Sequence, residues 1–230
     1  MALSPYPFQA ARDAFVAEYA LLEELAASLS DEQLLAASRC HGWSVCDVLC
    51  HLHLGMVEVL VAMATPSDRQ PDTDFASYWR KCCSGEDAGL DVAHARWVRL
   101  VASAYSRPSR LVTHLRMTTG AALRLARAAD PDRRLEFQGH VVTVGDFLAT
   151  WVVEAAVHHL DLTVELPAAP PPAAASLQVT RQTLDALLGR PVPLAWDDAS
   201  YALKGTARLP LEQQERQALG PLAERFPLFG

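Results

Sequence analysis

Lysine is nearly missing from this chain. Of its 20 basic residues only Lys81 and Lys204 are lysines, the rest arginines, and the formal net charge is −7 at a pI of about 5.6. That deficit argues against a nucleic-acid or anionic-membrane partner, since either needs a basic patch. With abundant alanine, the arginine bias reflects GC-rich coding rather than function. Long unbroken apolar runs are missing too: acids and histidines interrupt both apolar stretches, and neither is expected to cross a bilayer. The N-terminal MALSPYPFQAARDAF has no basic segment leading into an apolar run, so no signal peptide is expected and the expected location is cytoplasmic. A disulfide framework is absent as well. Five cysteines is an odd number, and Cys82 and Cys83 are adjacent, which fits reduced thiols. Cys46 and Cys50 have no second Cys/His pair at zinc-finger spacing and read as small core residues. No Gly-rich phosphate loop and no nucleophile-elbow serine occurs.

What remains is an ordinary globular composition, 50% apolar and 20% charged, in a chain long enough for one large domain with or without a small appendage. Residues 7–29 place Phe8, Phe15, Leu22, Leu25 and Leu29 near one helical face, and a short turn of helix is expected at 31–37. Ser44 with Asp47, and Thr143 with Asp146, are capping-box variants. They predict helices from 44 to about 64 and from 143 to about 165. A short helix is expected around 75–82, and Pro108 should break the helical stretch 90–129. Residues 130–142 read as a loop, with at most a short extended piece. "PAAPPPAAAS", 167–176, reads as a stiff linker. Beyond it, "VPLAW" and "YALKGTARLPL" around the turn-prone "DDAS" predict a hairpin, and "LEQQERQALGPLAERF" a closing helix interrupted at Gly220–Pro221. The expected architecture is mainly α: a helical bundle over 1–166, a linker over 167–176, and a small α+β domain over 177–230.

The chemistry sits in "TWVVEAAVHHLDL", 150–162. Glu154 and His158 are four apart on one helical face, with Asp161 three further along and Phe147 and Trp151 beside them. The helix is otherwise apolar nearly all round, and a buried carboxylate needs a partner or a metal. On the other capped helix Asp47, His51 and Glu58 share a stripe. If the two helices are neighbours, His51, Glu154 and His158 form a three-ligand divalent-metal site with positions left open, the pattern of a catalytic centre. Asp161 or Asp47 would then fix a histidine tautomer. His53 and His159 point off these stripes and read as packing or surface. His41, His94, His114 and His140 stand alone.

"GWSVCDVLCHL" (42–52), followed about a hundred residues later by "TVGDFLATWVVEAAVHHLDL" (143–162), resembles the DinB-like superfamily, and within it the mycothiol-dependent maleylpyruvate isomerase branch. The matching positions are Gly42, Trp43, Ser44, Asp47 and His51, then Glu154, His158 and Asp161. The resemblance covers roughly 5–165, with a weaker likeness of the tail to that branch's C-terminal domain. It implies a four-helix bundle in which His51, Glu154 and His158 bind a divalent metal, usually zinc, and mycothiol or a related thiol as cosubstrate. The family's C-terminal domain supplies an active-site arginine, for which Arg208 is the best-placed residue. Where many relatives have arginine three residues before the Glu, this chain has Trp151, which removes a possible contact to a substrate anion.

The implied mechanism is thiol chemistry: a thiolate adds to an electrophilic carbon, giving isomerisation if it is expelled and S-transfer if it stays. Trp151 beside the open position and Asp161 behind His158 are the expected cofactor-contacting residues. Cys50, next to His51, points about 100° away from it on a helix and is not expected to be the thiol. The expected partners are a small-molecule substrate and a thiol, without nucleic acid or membrane, in a monomer or homodimer. Two other functions remain open on the sequence: a metal-dependent hydrolase without thiol, and a helical binding or stress-response protein.

Overall fold

The computed structural model describes residues 5–82 and 88–229; Cys83 lies outside it, as does the side chain of Cys82. The body is a four-helix bundle of α1 (Phe8–Ser28), α3 (Val45–Met63), α6 (Pro108–Ala128) and α7 (Val144–Leu162). Helix α1 packs on α6 and α7, and α3 on the same two. Two short helices, α2 (Asp31–Leu34) and α4 (Ser77–Cys82), and a longer one, α5 (Ala88–Ser103), accompany them, the last lying against α3.

Both capping readings hold and place the two helices that matter. Ser44 accepts from the Asp47 backbone N–H at 3.2 Å while the Asp47 carboxylate accepts from the Ser44 N–H at 2.8 Å, satisfying two donors at the start of α3. Asp47 is spent on this cap, so it is Asp161 that meets a histidine. At α7 half of the box forms: the Thr143 hydroxyl accepts from the Asp146 N–H at 3.1 Å and donates to the Asp146 carboxylate at 2.6 Å, which does not return to the Thr143 N–H. The Asp146 carboxylate goes on to bind the Tyr6 and Phe75 backbone N–H groups at 2.9 and 3.1 Å, fastening α7 to two loops. Pro108 opens α6 at its first turn, where its missing N–H costs no bond.

By length and composition alone, α3 could cross a membrane, contrary to the sequence expectation: its 19 residues have a mean hydropathy of 1.7. Of its apolar positions, Val48, Leu49, Leu52, Met56 and Val59 are buried in the bundle, whereas Val57 and Val61 are exposed. Of the polar residues that interrupt it, His51 and Glu58 line the cleft described below, while His53 bonds Thr118 of α6 and Asp47 closes the cap.

Extended structure occurs at 134–143 and not at 192–211. Strands β1 (Arg134–Phe137) and β2 (His140–Thr143) pair antiparallel across Gln138–Gly139, both at positive φ (47° and 79°), a two-residue turn that suits glycine in its second place. The expected C-terminal hairpin is instead helix α9 (Asp198–Gly205). Asp197 in "DDAS" is an N-cap, its carboxylate accepting the Ser200 N–H at 2.6 Å, and Tyr201 and Ala202 are buried on the helix face. Helices α8 (Ala174–Leu188) and α10 (Gln213–Leu219) and a 3-10 stretch (Gly220–Arg225) complete the tail, so the described C-terminal part is helical rather than α+β. The helix break at Gly220 is as expected. Helix α8 lies against α1 and α7, and its Val179 and Leu187 join the hydrophobic core of the bundle.

Candidate metal centre

The two capped helices bring their polar stripes together. His51 Nε2 on α3 lies 2.7 Å from Glu154 Oε1 on α7, and His158 Nε2, one turn on from Glu154, lies 3.3 Å from the same oxygen. One donor atom from each of the three residues falls within 4.8 Å of the others. Two imidazole nitrogens and a carboxylate oxygen make a borderline donor set suited to a first-row divalent cation. The three residues fit a metal.

Electrostatics point the same way. Burial pushes the Glu154 carboxyl up, but the imidazoles of His158 and His51 outweigh it and hold the group well below the usual carboxylate range. Burial opposes a charged His158 ring, and hydrogen bonds to Asp161, Cys40 and Glu154 overcome it and raise its pKa well above the ordinary value.

Behind the centre, His158 Nδ1 lies 3.0 Å from Asp161 Oδ2. This leaves Nε2 facing Glu154 and His51, the orientation a carboxylate imposes on a ligating histidine. Asp161 is fully buried, and Arg208 on the C-terminal segment donates to it from Nε and Nη2 at 3.3 and 3.2 Å. Burial would raise the Asp161 carboxyl; the His158 ring, then Arg208 and Cys40, lower it instead. Arg208 thus touches the residue behind His158 and is not among the residues lining the cleft on the other side.

That cleft, about 440 Å³, opens onto His51 and Glu154 and is walled by Tyr78, Trp79, Trp97 and Trp151. Trp151 sits against Gly55 of α3, where a Cβ would come within 2.5 Å of the indole, so only glycine admits the ring there. Phe147 is buried behind Trp151 at a ring separation of 6.3 Å and does not line the cleft. A larger groove of about 820 Å³ holds Trp43, Arg96 and Arg99, but none of the three ligand residues.

Of the other histidines, His53 pairs with Thr118 at 3.1 Å, away from the centre. His159 is fully buried against Glu18 at 2.7 Å, so the packing reading holds, with a carboxylate partner that had not been expected. His94 does not stand alone: its Nε2 lies 3.4 Å from His51 Nδ1. Cys40 was also missed. Its Sγ lies 3.2 Å from Asp161 Oδ2 and 3.8 Å from His158 Nδ1. Cys40, His158 and Asp161 also place donor atoms within 4.8 Å of one another, but this set shares His158 and has the Arg208 guanidinium bound to its carboxylate, which disfavours a cation there. Cys46 and Cys50 are buried, away from the metal set.

A family model for the mycothiol maleylpyruvate isomerase N-terminal domain matches residues 15–163, which hold His51, Glu154, His158 and Asp161. The chain belongs to this family. No curated protein and no solved structure matches it. Within the mycothiol maleylpyruvate isomerase N-terminal domain family, then, this chain presents two histidines and a glutamate converging beside an aromatic cleft that His51 and Glu154 line.

Proposed function

We propose that the protein is a metal- and thiol-dependent enzyme that uses mycothiol, or a related low-molecular-weight thiol, on an electrophilic small molecule. It is an isomerase of the maleylpyruvate isomerase type or an S-transferase. The observation that carries this is the convergence of His51 Nε2, Glu154 Oε1 and His158 Nε2 within 4.8 Å of one another beside an open cleft. These residues would hold a divalent metal, zinc being one that such an N/O set accepts and the one the family resemblance implies. When bound, it supplies the Lewis acidity that lowers a thiol's pKa and so favours the nucleophilic thiolate.

The remaining roles belong to the chain's own groups. Asp161 holds the His158 Nδ1 proton and so keeps Nε2 turned toward Glu154. Arg208 steadies Asp161 from the far side, which makes it a positioning residue joining the C-terminal segment to the centre. Trp151, locked against Gly55, forms the wall next to Glu154 and keeps water from that side. The thiol sulfur adds to the electrophilic carbon of an activated alkene. Addition breaks the π bond and leaves an enolate; rotation and expulsion of the thiolate restore the alkene as its isomer, whereas uptake of a proton from solvent at the adjacent carbon gives the thioether. No cysteine of the chain is required as nucleophile.

Metal analysis of purified variants tests the ligand set. His51→Ala, Glu154→Ala and His158→Ala should each lose stoichiometric metal while His53→Ala keeps it. Full metal in Glu154→Ala would remove that residue from the set.

A further inference from the structure

The function proposed above names no class of electrophile, and the cleft walls supply one. Resting on that function, and favouring its S-transferase branch over isomerisation of a maleylpyruvate-type dicarboxylate, we infer that the cleft takes an uncharged electrophile bearing an aromatic or similarly flat apolar group, and that it turns dicarboxylates away.

Three of the chain's five tryptophans, Trp79, Trp97 and Trp151, line this one cleft together with Tyr78. Aromatic walls favour a flat apolar ligand by burying its faces against ring faces and edges. Trp79 is held in place by Phe229, stacked on it at 4.3 Å, and Trp151 by Gly55, so the slot between them is preformed on rigid elements.

Charge narrows the class further. No lysine or arginine is among the lining residues. Residues 1–4, 83–87 and 230, outside the described structure, contain no lysine or arginine either, so none of their side chains adds a guanidinium or lysine ammonium. The charged groups on the walls, apart from the histidines, are carboxylates: Glu154 at the centre and Glu58, whose Oε2 accepts from Gln138 Nε2 at 3.0 Å. Arg208 is committed to Asp161 on the opposite side of His158, and Arg96 and Arg99 line the separate groove. A metal at the centre can answer one carboxylate of a ligand. The second would be desolvated among aromatic rings next to Glu58, with no cation to meet it.

The test is calorimetric titration of the metal-loaded protein, with no thiol present, using a matched pair: dimethyl benzylidenemalonate and the benzylidenemalonate dianion. The two share the aromatic ring and the activated alkene and differ by two charges. The diester should bind at least tenfold more tightly. Trp97→Ala should weaken the diester at least threefold, and Glu58→Arg should narrow the gap between the pair by at least threefold. Equal or tighter binding of the dianion, a gap that Glu58→Arg leaves unchanged, or absence of binding by both compounds would overturn the inference. Because thiol is left out, the result is independent of thiol chemistry, whose failure would show separately as a cobalt-substituted protein with a spectrum that mycothiol does not alter.

Discussion

Glu18 is the residue whose replacement should cost this fold most while leaving the metal in place. It is fully buried on α1 and meets two hydrogen-bonding groups, one of which passes the chain on to a third. Its Oε1 lies 2.7 Å from His159 Nδ1, its Oε2 accepts from the Ala173 N–H at 2.8 Å, and His159 Nε2 donates to the Pro170 carbonyl at 3.0 Å. One carboxylate therefore ties α1 to α7 and to the proline-rich segment before α8. Removing it in Glu18→Ala strands the His159 ring nitrogen and the Ala173 N–H in the core. Each stranded buried group costs roughly 1–3 kcal/mol, and breaking a buried pair from one side costs about 3–5 kcal/mol. For a chain of this length that corresponds to a fall in Tm of roughly 10 °C. Glu18→Gln should behave differently. The Gln carbonyl can accept from Ala173 while its amide donates to a neutral His159, whose Nε2–H still reaches Pro170, so the loss should stay under about 1 kcal/mol. Thermal melts and guanidinium titrations of the metal-loaded proteins would show this, with metal content unchanged in both variants. A Glu18→Ala protein melting within about 2 °C of the parent, or a Glu18→Gln as damaged as the alanine variant, would refute the reasoning.

Three further outcomes are expected. Gly55→Ala gains helix propensity of about 1 kcal/mol but drives a methyl to 2.5 Å from the Trp151 indole, so overpacking of roughly 1–3 kcal/mol should outweigh the gain and shift the tryptophan emission; a more stable variant with unchanged emission would contradict the close approach. Burial lifts the Cys46 thiol to about 11 and the Cys50 thiol to about 12 from 9.0, so neither should react with a disulfide reagent at pH 8 unless the protein is unfolded. Because the unfolded thiols ionise first as pH rises, stability should decline above about pH 9, and less so in Cys50→Ala. Arg208→Ala should retain metal yet lose turnover by at least tenfold, since it frees Asp161 behind His158; unchanged turnover would detach the arginine from the centre.

How much of this was legible in the sequence depended on the range of the signal. Capping at Ser44/Asp47 and Thr143/Asp146 is local chemistry, and it set the starts of α3 and α7 and hence the register of His51, Glu154 and His158. The break at Pro108 is local in the same way. The C-terminal segment misled because Trp196 and Tyr201 favour strands and "DDAS" resembles a turn; what decides it is the Asp197 cap and the burial of Tyr201. The 134–143 hairpin is four residues a side, too short for an alternating pattern to stand out. Cys40 meets His158 across 118 positions, and His94 meets His51 across 43, so neither pairing leaves a periodic trace. Glu18 did leave one: it lies beside Phe15, Tyr19 and Leu22 on the buried face of α1.

The most direct test replaces the native metal with cobalt and titrates the protein with mycothiol while following near-ultraviolet absorption and proton release. A sulfur-to-metal charge-transfer band is expected, saturating at about one thiol per metal with release of a proton, since the thiol binds deprotonated. The band should be absent in His51→Ala and unchanged in Cys46→Ala and Cys50→Ala. A stoichiometric cobalt protein whose spectrum no thiol perturbs would contradict the assignment of this centre to thiol chemistry.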